Sequence, residues 1–462
     1  MDTRFVIYNL HYEGDIEKFS QYDPQLSALR DMPLAYHFPL LKELPTEIPG
    51  IYTLGGGRQI GKSTLLKQWM EYLMREKKVA PSQIFFFTGD IIDDYHQLLR
   101  LITDKLEQFS DSALSYLIVD EITYIKDWDK GIKFLADSGQ LRNTVLMLSG
   151  FDLTMMQEAR MRFPGRRGYA EKVDFHLYPL SFYEYLHLTE RTLVSLVDSE
   201  ETVLSPQEQE TFLAKFNAYL QHGGYLTAIN DIARFCKIHY ATLATYSDWI
   251  RGDILKRYKQ ESYLKEICTG VIKYYASQIS WNNLSKALSI EHHKTVADYM
   301  ELLSRMDAVF IQSALQEDKL TAAPKKAKKI FFTDPFVFHA VFAWLNQDKE
   351  AYHSQILPAI QDPVRSSQLV ETVVVNHFQR YYPTYYIKAE SEIDVAYVDQ
   401  NIFWPIELKW RNQIRPKELK QILKYKNAEI WSKTSNGYDD INGIKMQFLP
   451  LALARRFSPL AV

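Results

Sequence analysis

Four unbroken apolar runs punctuate the first 150 residues: Gly50-Ile-Tyr-Thr-Leu54, Gln83-Ile-Phe-Phe-Phe-Thr88, Ser115-Tyr-Leu-Ile-Val119 and Asn143-Thr-Val-Leu-Met-Leu-Ser-Gly150. Short runs without polar alternation predict strands buried on both faces. Between them, apolar residues recur at helical spacing over Ser63–Glu76 and Asp93–Phe109. A further strand is expected at Glu171–Tyr178, with a helix starting at Pro179. Strands alternating with helices predict an α/β fold with a doubly wound parallel sheet. Residues 1–50 are rich in proline after Pro24 and are expected to wrap this domain.

Beyond Pro179 the pattern turns helical. Gln207–Leu220, Ala228–Arg234 and Asp248–Tyr258 predict a helical lid, broken at Gly223-Gly224; the polar stretch Leu193–Pro206 reads as a loop, and His222 as structural. Glu261–Ile279 is a helix. Two short amphipathic segments, Leu284–Leu288 and Lys294–Leu303, precede an apolar strand at Ala308–Ile311. That order predicts a helix-turn-helix with a wing. His292, His293, Lys294 and Thr295 would lead the second helix, and the basic arm Ala323–Phe332 would form the wing. This module could contact DNA or serve only for packing. The last hundred residues predict a helix at Gln368–Phe378, strands at Tyr385–Lys388, Glu392–Val398 and Phe403–Trp410, and a basic helix downstream. The boundaries read 1–50, 51–190 for the sheet domain, 191–260 for the lid, 261–345 for the winged helix and 346–462 for the C-terminal α/β domain.

Composition narrows the classes. The chain has 462 residues and a formal net charge of −3, so any nucleic-acid surface must be local. Two cysteines, Cys236 and Cys268, make neither a disulfide scaffold nor a zinc pattern. With no signal-like segment and no apolar run long enough to span a bilayer, a cytoplasmic protein without a membrane partner is expected.

The clearest chemistry follows the first run. Gly56-Gly-Arg-Gln-Ile-Gly-Lys-Ser63 has the G-x-x-x-x-G-K-S spacing, placed between a strand and a helix. Its backbone N–H groups can cradle phosphates. Gly56, Gly57, Arg58, Gln59, Ile60, Gly61, Lys62, Ser63 and Thr64 are therefore the candidate ATP-binding residues. Lys62 would reach the β- and γ-phosphates, and Ser63 would ligate Mg²⁺. The third run ends in Asp120-Glu121, where Asp120 would hold Mg²⁺ through water and Glu121 would polarise the attacking water. Ser149, ending the fourth run, suits a sensor of the γ-phosphate and equally a plain strand-end turn. Arg166 and Arg167 lie on a glycine turn. Arg166 is the candidate arginine finger, acting in cis or in a homo-oligomer.

A second constellation lies near the C-terminus. Period two puts Glu407 and Lys409 on one strand face, and a hairpin can bring Asp394 beside them. Two carboxylates to hold Mg²⁺ and a lysine to steady nucleophile or phosphate suit phosphodiester cleavage. Glu371 could complete the metal shell from its helix. Between Pro405 and Lys433 there are eight Lys or Arg against three Glu, a local excess that suits a phosphate backbone, double- or single-stranded.

The order of these parts resembles the archaeal-type AAA ATPases that carry a C-terminal PD-(D/E)XK nuclease-like domain. The likeness is carried by Gly55–Thr64, Leu117–Glu121, Ser149-Gly150, Pro164-Gly-Arg166 and Tyr178–Glu184. It continues through Gly223-Gly224, Lys329–Pro335 and Glu392–Lys409. The resemblance implies ATP hydrolysis through Lys62, Ser63, Asp120 and Glu121, an arginine finger at Arg166, a winged helix, and a restriction-endonuclease-like α/β fold at the end. Two functions follow as expectations. One is an Mg²⁺-dependent ATPase acting on DNA, with a metal-dependent nuclease site at Asp394, Glu407 and Lys409. The alternative is an ATP-driven switch whose last domain only binds nucleic acid or a protein partner.

Overall fold

The computed structural model describes residues 3–110, 113–150, 163, 165–199, 203–434, 439–441 and 443–459. The chain forms two compact units, Met1–Tyr178 with Arg305–Asp307, and Pro179–Ser304 with Ala308–Val462. Among the described residues no helix is long and apolar enough to cross a membrane. Both cysteines are free.

The first unit is an α/β P-loop fold. Its strands β1 (Gly50–Gly55), β2 (Ile84–Thr88), β3 (Ser115–Asp120), β4 (Thr144–Ser149) and β5 (Asp174–His176) form one sheet in the order β2-β3-β4-β1-β5. Every pairing is parallel. The first four strands are buried along their whole length, which is why their sequences lack alternation. The helix Lys62–Arg75 follows β1. From residues 1–50, Phe5 joins the core of Phe85, Phe87, Leu117 and Val119. Asp23 meets Lys67 of the P-loop helix at 3.2 Å, both fully buried. Lys67 Nζ also donates to Tyr8 O at 2.6 Å and lies 3.8 Å from the centroid of the Phe86 ring.

In the second unit the lid helices run over Pro206–His222, Leu226–Phe235 and Tyr240–Lys256. Helices Trp281–Ala287 and His293–Arg305 precede β6 (Val309–Gln316), β7 (Thr321–Ala322) and β8 (Lys328–Phe332). The helix Pro363–Gln379 leads to β9 (Thr384–Lys388), β10 (Glu392–Asp399), β11 (Ile402–Lys409), β12 (Glu429–Ser432), β13 (Asp439–Ile441) and β14 (Ile444–Phe448). These nine strands form a single sheet, β13-β14-β12-β11-β10-β9-β6-β7, with β8 on β6. The join is β6 parallel to β9, Ser313 opposite Tyr385. The sheet therefore runs straight through the boundary expected at 345/346.

Two local expectations fail. Arg191–Val197 is helical, not loop; Leu193 and Val197, four apart, bury one face. The basic helix expected after Trp410 is absent from the described residues. Two short 3₁₀ turns, Pro416–Leu419 and Ile422–Lys424, stand there. Leu419, ending the first turn, and Ile422, starting the second, are both buried in the core of this sheet.

One junction ties the lid to the hairpin. Asp334, after β8, accepts from Phe336 N at 2.8 Å and from Gly224 N at 2.9 Å. A Cβ on Gly223 (φ +56°) would lie 1.5 Å from Asp334 Oδ1, so only glycine fits. Nearby, His377 Nε2 accepts from Phe182 N at 2.9 Å. His222 is buried, its Nδ1 2.6 Å from Gly223 O, in keeping with a structural role.

Candidate active site

The phosphate loop spans the turn from β1 to its helix. Gly56 (φ +144°) passes so close to Leu177 that a Cβ would lie 2.6 Å from its carbonyl oxygen. Gln59 and Gly61 also take positive φ, and Arg58 bonds the Tyr124 hydroxyl, its guanidinium carbon 5.4 Å from the ring centroid. Gly57, Ile60 and Lys62 are buried, and Ser63 and Thr64 half-buried, in the loop and first helical turn. Lys62 Nζ donates to Gly56 O at 3.0 Å and Gly57 O at 2.9 Å, and lies 4.0 Å from Glu121 Oε1.

Because β4 lies between β3 and β1, the C-terminal ends of three neighbouring strands converge here. Ser63 Oγ donates to Asp120 Oδ2 at 2.5 Å. Ser149 Oγ donates to Asp120 Oδ1 and accepts from Glu121 N at 3.1 Å. Thus Ser149, Asp120 and Ser63 are brought together. Glu121 stands in the left-handed region (φ +53°), and its Oε2 is buried with no hydrogen-bond partner among the described residues. Burial raises the Glu121 pKa against the opposing charge of Lys62. Burial likewise lowers that of Lys62, against Glu121 and Asp120.

The arginine turn is elsewhere. Pro164 lies outside the described residues. Arg166 N donates to Phe163 O at 3.1 Å, and its guanidinium pairs with Asp137 at the end of the helix Trp128–Asp137. Arg167 is built into the sheet, with Nε on Ile51 O at 3.1 Å and Nη2 on Asp174 Oδ1 at 2.6 Å. Gly168 packs on Pro49 O. The turn therefore sits at the start of β1, about 17 Å of strand from the phosphate loop. The structure does not bring Arg166 to the ATP site of its own chain. It does bring there a residue the sequence did not flag. His176, paired with Gly55 in the sheet, meets Asp307 at 3.1 Å, and the Asp307 charge reaches Lys62.

In the second unit, β10 and β11 are antiparallel with Val395 opposite Ile406, and the same register sets Asp394 opposite Glu407. Asp394 Oδ2 accepts from Leu408 N at 2.9 Å, and Lys409 Nζ donates to Glu407 Oε1 at 2.5 Å. Glu407 Oε2 is buried without a partner among the described residues. Burial and the Asp394 charge push the Glu407 carboxyl up to about 8. Glu371, on the helix Pro363–Gln379, can set one carboxylate oxygen within 4.8 Å of those of Glu392 and Asp394. All four predicted residues thus fall in one region, but Glu392 and Lys329 belong to it as well. Lys329 is 1% exposed and so is no part of a solvent-facing basic arm, whereas Lys325 and Lys326 are exposed.

Comparison with known proteins accounts for two stretches. Residues 49–186 match an AAA domain, and residues 213–349 a domain of unknown function (DUF8612). An uncharacterized protein of Haemophilus influenzae is 24% identical over 280 residues, 58% of this chain and 63% of that protein. One of Methanocaldococcus jannaschii is 23% identical over 284 residues, 59% of this chain and 57% of that protein. The chain thus spans less than two thirds of the length of these relatives. Among solved structures, a Walker-type ATPase of Pyrococcus abyssi aligns with 71% of this chain and 95% of its own, at 13% identity and a TM-score of 0.38. Cdc6p from Pyrobaculum aerophilum aligns with 72% and 94%, at 12% identity and a TM-score of 0.26. The family match, with the phosphate loop between β1 and its helix, makes residues 49–186 a P-loop domain of the AAA type.

Proposed function

We propose that this protein is an Mg²⁺-dependent ATPase acting on DNA, with a phosphodiester-cleaving site in the second unit. The observation that carries the ATPase reading is the Ser63–Asp120–Ser149 chain beside Glu121. A buried polar atom without a partner is uncommon, and Glu121 Oε2 is one, set near the lysine of the phosphate loop. It is suited to accept from a water. Lys62, held by loop carbonyls, is available to a γ-phosphate, and the loop N–H groups hold the β-phosphate. Ser63 and Asp120 would hold Mg²⁺, which neutralises charge on the phosphates when bound. Ser149 fixes Asp120 and the Glu121 backbone together and so suits a sensor. Arg166 suits only a neighbouring chain's site, which implies a homo-oligomer.

Support for the second site is the carboxylate set on β10, β11 and the helix Pro363–Gln379. Asp394, Glu407 and Glu371 would hold a divalent ion, whose chemistry is to lower the pKa of a bound water. Lys409, on the Glu407 carboxylate, steadies that carboxylate and can meet a phosphate. The winged-helix order of the helices Trp281–Ala287 and His293–Arg305, with His292, His293 and Lys294 exposed, supports a DNA face. The second reading, a switch whose last unit binds without cutting, shares the first site and differs only here.

The test is ATP turnover with and without DNA, beside a Mg²⁺ or Mn²⁺ cleavage assay. Lys62→Ala should abolish turnover. Glu121→Gln should still bind ATP but turn over about 10²-fold slower or less. Glu407→Ala should abolish cleavage and leave ATP turnover intact. A wild-type protein that binds no nucleotide overturns the whole proposal, and one that never cuts DNA or RNA reduces it to the switch.

A further inference from the structure

The carboxylate group of the second unit already contains a cation, and it comes from a part of the chain outside the strands and helix that carry the acids. Lys329 stands on β8, the return strand of the hairpin. Its Nζ donates to Glu371 Oε1 and, at 2.5 Å, to Glu392 Oε1. Its side chain is 1% exposed, against 12% for Glu371 and 32% for Glu392. Asp394 belongs to the same group: one of its carboxylate oxygens lies within 4.8 Å of one from each of Glu371 and Glu392.

One ammonium cannot satisfy this group. Its two bonds go to Glu371 and Glu392, while Asp394 takes the Leu408 N–H at 2.9 Å on Oδ2. Opposite Asp394, the buried oxygen Glu407 Oε2 has no donor among the described residues. It is separate from the Lys329 contacts, and with Oε1 already taken by Lys409 it is the oxygen of this carboxylate left open to a further cation. A divalent ion would have to meet these same carboxylate oxygens at about 2.0–2.6 Å, in the space the lysine nitrogen fills. Both cannot hold the same oxygens of Glu371 and Glu392.

We propose that Lys329 is a resident competitor of the metal: it occupies the Glu371–Glu392–Asp394 group from the hairpin and holds divalent ions out of the C-terminal site. This deepens the reading of that site as metal-dependent and rests on it. Because the lysine lies on the hairpin of the DNA-facing module, loading of the site is tied to the position of β8. The group that would cut is kept metal-poor while the lysine is in place.

The experiment is Mn²⁺ titration by calorimetry on the full chain, with melting temperature in the presence and absence of Mn²⁺. Lys329→Met should bind Mn²⁺ about tenfold tighter or more than wild type, the scale on which outer-shell residues tune metal sites. Adding Glu371→Gln should reverse that gain, and Lys329→Arg should keep the wild-type affinity. If Lys329→Met folds poorly without metal, Mn²⁺ should raise its melting temperature more than that of wild type. Equal or weaker Mn²⁺ binding by a folded Lys329→Met, or no rise in melting temperature for an unstable one, overturns the proposal. Cleavage is read on the same samples. A variant that gains Mn²⁺ affinity supports the competitor whether or not it cuts, and absence of cutting in every sample overturns the nuclease reading alone.

Discussion

Asp334 shows how much one buried carboxyl can decide. It is 2% exposed, and burial pushes its pKa up to about 7 against the N–H groups of Gly224 and Phe336 and the charge of Arg380. An acid raised in the folded state binds its proton more tightly there than in the unfolded chain. Its stabilising contribution is present in full below the unfolded value near 4 and is lost as pH rises through about 7. Unfolding free energies of the wild type, from urea titrations, should therefore fall between about pH 4 and 7 more steeply than those of Asp334→Asn, by up to roughly 1.4 kcal/mol per pH unit. Equal slopes would exclude Asp334 as the source. The same scale separates Arg166 from Arg167. Nothing in the turn's sequence says which guanidinium is free to act. In the structure Arg167 holds the Ile51 carbonyl and Asp174 inside the sheet, while Arg166 pairs with the half-exposed Asp137.

At the scale of elements, strand and helix patterns reach as far as local forces do. β1 to β4 were legible because strands covered on both faces have no alternation to hide, and the P-loop because its glycines, lysine and serine lie within eight residues. The parallel contact of β6 with β9 was not legible, since no local pattern states which edge an edge strand will meet. Glu392 and Lys329 were missed for that reason: they meet through the register of that sheet, 63 residues apart. A fragment starting at residue 346 would expose the β9 edge and strip Glu371 and Glu392 of their ammonium. Unpaired strand edges invite aggregation, so that fragment should be insoluble or melt without cooperativity. One starting at Pro179 should give a single cooperative transition in circular dichroism.

For the whole molecule, net charge works against nucleic acid while local charge works for it. With a formal charge of −3, long-range attraction to a polyanion is weak, and under the proposed function binding would have to come from the exposed Lys325, Lys326, Arg415, Lys420 and Lys426. DNA affinity should fall steeply with salt, with a slope of about −0.9 per phosphate contacted. Charge reversal at Lys325 and Lys326 should lower both the affinity and the slope, as read by fluorescence anisotropy across a salt series. A salt-independent affinity would rule out a phosphate-facing surface. The nine-stranded sheet also bears on descent. The stretch matching a domain of unknown function ends at residue 349, yet the sheet begun by β6 and β8 is completed only by strands after residue 383. Lineages that exchanged everything beyond residue 349 for a foreign segment would inherit three of the nine strands and a lysine without its acids. The two parts can persist only by being passed on together, so changes on β8 and on β10 should be found to follow one another through the history of this protein.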